Sequence, residues 1–215
     1  MLILALVFTG CSDDPDPVLE QEVITTVVVT LTGTDGTDYV MRWEDPDYAV
    51  GEIMPGYSGD ESIPDGAYTR DIKLYNNTLP PDDEEYTVTN EILEEGDGGS
   101  IDHQFFFSEL GDLVIDSVAY LDLDNPGEGE TAPCGENKPI GQQFSMVAVA
   151  GIGELGVLLI HEPEKCADGM SDGIWNGVGE EDVDLQFPLT VDTCLLYTSD
   201  AADDTPCVDL GGRRI

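Results

Sequence analysis

The stretch EVITTVVVTLTG, residues 22–33, opens the part of this chain whose sequence predicts a regular fold. It is rich in β-branched residues and alternates between apolar and polar positions toward its end, which is typical of a β-strand. The following stretch, TDGTDYVMRWE at residues 34–44, contains an Asp-Gly turn signal and then a second alternating run. Together the two runs predict a β-hairpin.

The same strand pattern continues to residue 193. Further runs are AYTRDIKLYN, HQFFFSEL, LVIDSVAYLDLD, GQQFSMVAVAG, ELGVLLIHE and DVDLQFPLTV, with a short strand expected near residues 49–54. They give about eight or nine strands. One helix of roughly three turns is expected after the two prolines at 80 and 81, ending near Gly96. Because helical crossovers and a βαβ alternation are lacking, the sequence predicts an all-β domain over residues 22–193. We expect an antiparallel β-sandwich, Ig-like or jelly-roll-like, with one short helix.

The charge balance excludes one class of partner. The 215 residues include 46 Asp and Glu against 7 Lys and Arg, a formal net charge of −39. Nucleic-acid binding depends on Lys and Arg neutralising phosphates, so it is excluded for this chain. Such a surface instead attracts cations and keeps the protein soluble.

The first residues resemble a bacterial lipoprotein signal. The apolar run MLILALV at 1–7 is far shorter than the roughly 20 residues that a membrane-spanning helix needs. The sequence FTGC, ending at Cys11, resembles a lipobox, in which the cysteine is lipidated. It has Phe8 where leucine is usual and lacks a charged n-region, so we interpret residues 1–10 as a truncated signal peptide. The alternative is a buried strand with a chance cysteine.

The residues after Cys11 resemble an export tag. Ser12, Asp13 and Asp14 are similar to the acidic tag that directs lipoproteins of Bacteroidota to the outer cell surface. Residues 11–21 would then form an acidic spacer between the lipid anchor and the domain.

Several motifs of the body carry a further resemblance. VITTVVVTL, DHQFF, PIGQQF, HEPEK and DVDLQFPLTV occur in the order and spacing found in small surface lipoproteins of flavobacteria. The resemblance covers nearly all of the chain before residue 194. It implies an all-β domain held at the outer membrane, exposed at the cell surface, and it brings no established activity.

The last segment differs from the rest. Residues 194–215, CLLYTSDAADDTPCVDLGGRRI, resemble a translated sequencing adapter, and we interpret them as read-through; the alternative is a genuine acidic tail. With Cys11 assigned to lipid, Cys134 and Cys166 are the two cysteines left. In an oxidising, exported setting they are candidates for a disulfide.

An acidic loop is a candidate calcium site. The stretch YLDLDNPGEGE places Asp122, Asp124 and Glu128 at the end of a strand, and calcium binds six to eight hard oxygens. The alternative is a solvated acidic loop. A second acidic loop, residues 171–184, could contribute Asp172, Glu180, Glu181 and Asp182 if folding brings it near the first. It also contains Trp175, whose ring either stacks on a sugar or covers the end of the domain.

Three other features have alternative interpretations. His103 and His161, the only histidines, could bind a metal or act as acid and base. No third ligand is identifiable from the sequence, which favours packing or edge roles for both. GIGELG at 151–156 matches the dinucleotide-binding pattern GxGxxG, but a strand-like run follows it, so we predict a hairpin turn. Ser117 lies in a three-residue match to an O-glycosylation signal, and the alternative is a plain solvent-facing serine.

The sequence therefore favours a lipid-anchored surface protein of a Gram-negative bacterium with a non-enzymatic binding or envelope role. Its expected partners are the outer membrane, through the anchor, and a glycan or another surface protein. No cofactor other than calcium is expected. The first alternative is a calcium-stabilised glycan-binding accessory of nutrient uptake. The second is a hydrolase that uses carboxylates or the two histidines.

Overall fold

A computed structural model gives the structure of the chain. It describes residues 22–48, 53–93, 99–124, 134–135 and 137–193. The signal peptide, Cys11, the tag residues Ser12, Asp13 and Asp14, and the segment 194–215 lie outside the described residues, as does Glu128.

The first hairpin is present where the sequence predicts it. Strand β1 (Thr26–Gly33) pairs antiparallel with β2 (Asp38–Glu44). Val27, Val29 and Leu31 are fully buried, so the alternation in β1 reflects one face packed on the core.

Seven further strands follow. They are β3 (Gly56–Gly59), β4 (Ser62–Pro64), β5 (Gly66–Tyr75), β6 (His103–Gly111), β7 (Val114–Tyr120), β8 (Gln143–His161) and β9 (Glu180–Asp192). Of the strand expected near residues 49–54, residues 49–52 lie outside the described part, and the strand in this region is β3. The all-β prediction is confirmed.

Within the described residues 80–93, the helix is shorter than the three turns predicted, and its predicted end near Gly96 lies outside the described residues. Helix α1 (Val88–Ile92) has five residues, and a second short helix, α2 (Gly99–Asp102), directly precedes β6. Buried Val88 and Ile92 hold α1 against the core, and the Leu74 amide of β5 donates to Thr89 Oγ1 at 2.7 Å. This packing, and not helix length, stabilises α1. None of the helices in the described ranges is long and apolar enough to cross a bilayer.

The strands join in one sheet of order β3-β2-β1-β5-β8-β9-β4, with β6 and β7 also paired to β8. The first half of β8 lies between β5 and β7, and its second half lies between β6 and β9. All pairs are antiparallel except β4 with β9, which is parallel, so the sheet is mixed and curled. The sandwich arrangement itself stays a prediction.

The predicted turn at GIGELG is wrong. Residues 151–156 lie inside β8, where the strand passes from one set of neighbours to the other. A Cβ on Gly153 would lie 1.9 Å from the Leu110 carbonyl oxygen, and Gly151 has φ +111°. These glycines therefore allow the end of β6 and the β6–β7 connection to approach a continuous strand closely. The sequence pattern does not distinguish this role from a turn.

The main core lies between the strands of this curled sheet. Phe105, Phe144, Leu159 and Phe187 are among its fully buried members. Residues 163–179 cover the opposite face of β6 and β8, where Phe106, Ile160 and Met170 form a second, smaller cluster.

A candidate metal centre at the end of the core

The register of β6 against β8 brings the two histidines together. His103 is the first residue of β6 and His161 is the last residue of β8, and the two are directly opposite in the antiparallel pair. Their imidazole rings are nearly parallel, at 9°, with centroids 4.8 Å apart. Strand alternation places them on the same faces as Phe105 and Leu159, so they sit at the end of the main core.

A β-bulge supplies the third group. Leu159 pairs with Val183 and Ile160 pairs with Glu181, which leaves Asp182 as the extra residue of β9. A bulge re-aims the side chains of the strand that contains it. The Asp182 side chain is 1% exposed, whereas Asp184, two residues along the same strand, is exposed to solvent.

The three side chains form a compact set of ligand atoms. One ligand atom from each of His103, His161 and Asp182 lies within 4.8 Å of the other two, and the distance from His103 Nε2 to Asp182 Oδ2 is 3.7 Å. A tetrahedral zinc ion with bonds of about 2.0–2.1 Å has ligand atoms about 3.3 Å apart. The set therefore needs a contraction of at most about 1.5 Å to bind such an ion.

A fourth group approaches from outside the sheet. Glu22 precedes β1, and its Oε2 atom lies 3.3 Å from His103 Nε2. This oxygen is buried and makes no hydrogen bond among the described residues. Two carboxylates thus approach the same imidazole nitrogen from different chain segments.

The donor types decide what the centre can hold. Two imidazoles with carboxylates suit zinc and similar first-row transition-metal ions, whereas calcium and magnesium prefer all-oxygen sites. The centre therefore fits a divalent transition metal.

A separate cavity adjoins the centre. Asp102 and Glu162, the sequence neighbours of the two histidines, line a cavity of about 290 Å³ together with Lys165. Burial, and secondarily the charge of Glu162, raises the pKa of Asp102. Burial lowers the pKa of Lys165, although Asp124 opposes this effect.

The residues of the predicted calcium loop fix the loop to the domain. The two carboxylate oxygens of Asp122 accept hydrogen bonds from the Gly141 amide at 2.8 Å and the Gln143 amide at 3.0 Å. Buried Asp124 accepts from the Lys138 amide at 2.7 Å and lies 3.3 Å from Lys165 Nζ. Both carboxylates have a structural role, and calcium binding here stays a prediction from the sequence.

In the second acidic loop, Asp172 and Trp175 contact different parts of the domain. Asp172 lines an open cavity of about 510 Å³ with Tyr120 and Leu123, near the predicted calcium loop. Trp175 instead packs against the second cluster, and its indole N–H donates to the Val178 carbonyl at 2.8 Å. Covering the second cluster is the role in which the structure places this ring.

The other predicted residues lie apart from the centre. Cys134 and Cys166 form a disulfide, the pairing that we expected from the cysteine count. Ser117 is exposed on β7, and its glycosylation stays a prediction.

Comparison with protein-family models, with curated proteins and with solved structures finds no match for this chain.

Proposed function

We propose that this chain is a lipid-anchored cell-surface protein whose β domain binds a divalent transition-metal ion, with zinc the best fit, and that it acts by binding and not by catalysis. The observation that carries the proposal is the convergence of His103, His161 and Asp182 from three strands on one point.

Burial supports binding over catalysis. The side chains of His103 and Asp182 are 4% and 1% exposed, so a substrate would have no direct access to the ligand atoms of these two residues. A hydrolase that uses the histidines needs such access. Trp175 is partly buried against the second cluster, which gives less support to its use as a platform for a glycan.

The surface location is supported by the lipobox resemblance at Cys11 and by the disulfide. Disulfides persist in oxidising, exported compartments and are rare in a reducing cytosol. A metal centre on an exported domain also suits the charge of −39, which concentrates cations near the surface.

Isothermal titration of the metal-free full chain with zinc tests the binding. Near-physiological salt and excess magnesium should be present, because so acidic a surface attracts cations nonspecifically. We expect one zinc ion per chain with a Kd below about 1 µM. Asp182→Asn should weaken binding at least about tenfold, since it removes a ligand.

Asp184→Asn is the matched control for the titration. It removes the same charge from the same strand, at an exposed position, and should leave the affinity unchanged. Equal effects of the two substitutions, or binding that disappears in magnesium, would contradict a specific centre.

Metabolic labelling with palmitate in a Gram-negative host tests the anchor. The full chain, supplied with a complete signal peptide, should incorporate label and fractionate with the outer membrane. Cys11→Ala should abolish both. Label that persists in the variant would count against lipidation at this cysteine.

A further inference from the structure

Glu22 lies at the point where the chain enters the folded domain. From Ile24 onward the backbone is held firmly, since Ile24 is buried, the Thr25 amide donates to the Tyr75 carbonyl at 3.0 Å and the Asp45 amide donates to the Thr25 carbonyl at 2.8 Å. Glu22 is two residues earlier, and its carboxylate reaches His103 across the end of the core.

The groups around His103 Nε2 suit a bound cation. Glu22 Oε2 lies at 3.3 Å and Asp182 Oδ2 at 3.7 Å from the same nitrogen, so two carboxylates converge in a largely buried place. An imidazole nitrogen has at most one proton to donate, and like charges in a buried site repel each other strongly. A divalent ion between these groups would neutralise both carboxylates and use the nitrogen as a ligand.

The geometry also suits a fourth ligand. The distance of 3.3 Å between Glu22 Oε2 and His103 Nε2 equals the edge of about 3.3 Å expected for tetrahedral zinc. Zinc sites with three protein ligands keep an open position for water or substrate, and sites with four are closed and structural. Glu22 is therefore the residue that decides between the two kinds of site.

Resting on the metal-binding function proposed above, we infer that Glu22 is the fourth ligand. The ion then fastens the entry segment, defined as Glu22 and Val23 just before the firmly held Ile24, to β6, β8 and β9. The centre then joins four separate parts of the chain: the residues before β1, and one end of each of these three strands. Metal occupancy controls whether the entry segment, to which the spacer of residues 11–21 connects, is docked on the domain.

The affinity of a Glu22→Gln variant for zinc tests the ligand role. We expect zinc to bind at least about tenfold more weakly than to the wild-type chain, because an amide oxygen is a poorer ligand than a carboxylate. Glu61→Gln, at an exposed position in the link before β4, is the control and should bind like the wild type. Equal zinc affinity in the wild type and Glu22→Gln would overturn the inference and leave the three-ligand centre in place.

Hydrogen–deuterium exchange of the full chain, with and without zinc, tests the docking. Zinc should slow exchange in a peptide that covers residues 20–25 and in one that covers the start of β6. In Glu22→Gln at saturating zinc, only the β6 peptide should be slowed. An unchanged 20–25 peptide in zinc-bound wild type would overturn docking, whereas absence of zinc binding to the wild type would overturn the proposed function itself.

Discussion

At the scale of single residues, Arg70 is a buried charge whose desolvation costs stability. Its side chain is 2% exposed, all three guanidinium nitrogens lack a hydrogen-bond partner among the described residues, and its charge lies 4.3 Å above the Phe144 ring. Burial lowers the pKa of Arg70. A contact with one ring compensates for only part of the desolvation of a guanidinium.

We therefore predict that Arg70→Met increases the free energy of unfolding, by about 1–4 kcal/mol, because it replaces an uncompensated buried charge with an apolar chain of similar length. Urea denaturation measures the change. Arg42→Met, at a partly exposed arginine paired with Glu44, should change stability by less than about 1 kcal/mol. A clear loss of stability in Arg70→Met would show that Arg70 has an anionic partner.

Asp122 gives a prediction for how the stability of the fold depends on pH. Burial raises the pKa of Asp122, although hydrogen bonds from Gln143 and Gly141 oppose the rise. The folded carboxyl thus holds its proton at a pH where the unfolded one, with a pKa near 3.8, has lost it. Its contribution to stability is fully present below pH 3.8 and is lost as the pH rises through the folded pKa.

Asp122→Asn should therefore flatten the rise in stability on acidification from neutral pH toward pH 4. Urea denaturation across this range provides the measurement, and Asp116→Asn, which removes the same charge at an exposed position of β7, should keep the wild-type slope. A slope that is the same in all three proteins would contradict the prediction.

Only part of the metal centre could be predicted from the amino-acid sequence. Both histidines were expected at strands or strand ends, because the apolar runs beside them are clear. Asp182 was expected only as a possible contributor to the calcium loop. Its place beside the histidines could not be predicted, since strand alternation gives it the same exposed side as Asp184, and only the bulge turns it inward. Glu22 is 81 positions before His103, and no local pattern connects residues so far apart.

At the scale of elements, β8 organises the sheet. It has 19 residues and pairs with four other strands. Its neighbours β5 and β9 could be predicted because their burial alternates. The continuity of β8 could not, since its glycines also fit a turn. The three-residue β4 is too short to give a pattern, so its parallel pairing with β9 was missed.

Gly153 is a position at which β8 tolerates little change. Gly153→Ala would place a Cβ 1.9 Å from the Leu110 carbonyl oxygen, which forces the backbone to shift. We expect a loss of about 1–3 kcal/mol or more in the free energy of unfolding, measured with urea. Gly56→Ala in β3 meets no atom within 4 Å and is the control; comparable losses in both variants would contradict this role for Gly153.

The disulfide constrains the connection between the loop before β8 and the loop after it. Cys134 and Cys166 are 32 residues apart, so the chain-entropy model gives a stabilisation of about 3–4 kcal/mol. Replacing both with alanine should lower the free energy of unfolding by about this amount in urea. Treatment of the wild type with dithiothreitol should give the same result, and a change below about 1 kcal/mol would contradict it.

At the scale of the whole molecule, the chain combines a compact apolar core with a strongly anionic surface. The metal centre lies at the end of that core, where buried carboxylates from β9 and from the entry segment meet two imidazoles. A divalent ion there would neutralise charges that the rest of the fold leaves close together. Because Glu22 lies just before β1, metal binding there would act at the place where the domain connects to its expected lipid anchor.

The most direct test of the metal centre is an anomalous difference map, measured at the zinc absorption edge, from crystals of the full chain grown with equimolar zinc. We predict one strong peak within about 2.1 Å of ligand atoms from His103, His161 and Asp182. A map with peaks only at exposed acidic side chains, and none between the two imidazoles, would contradict the account.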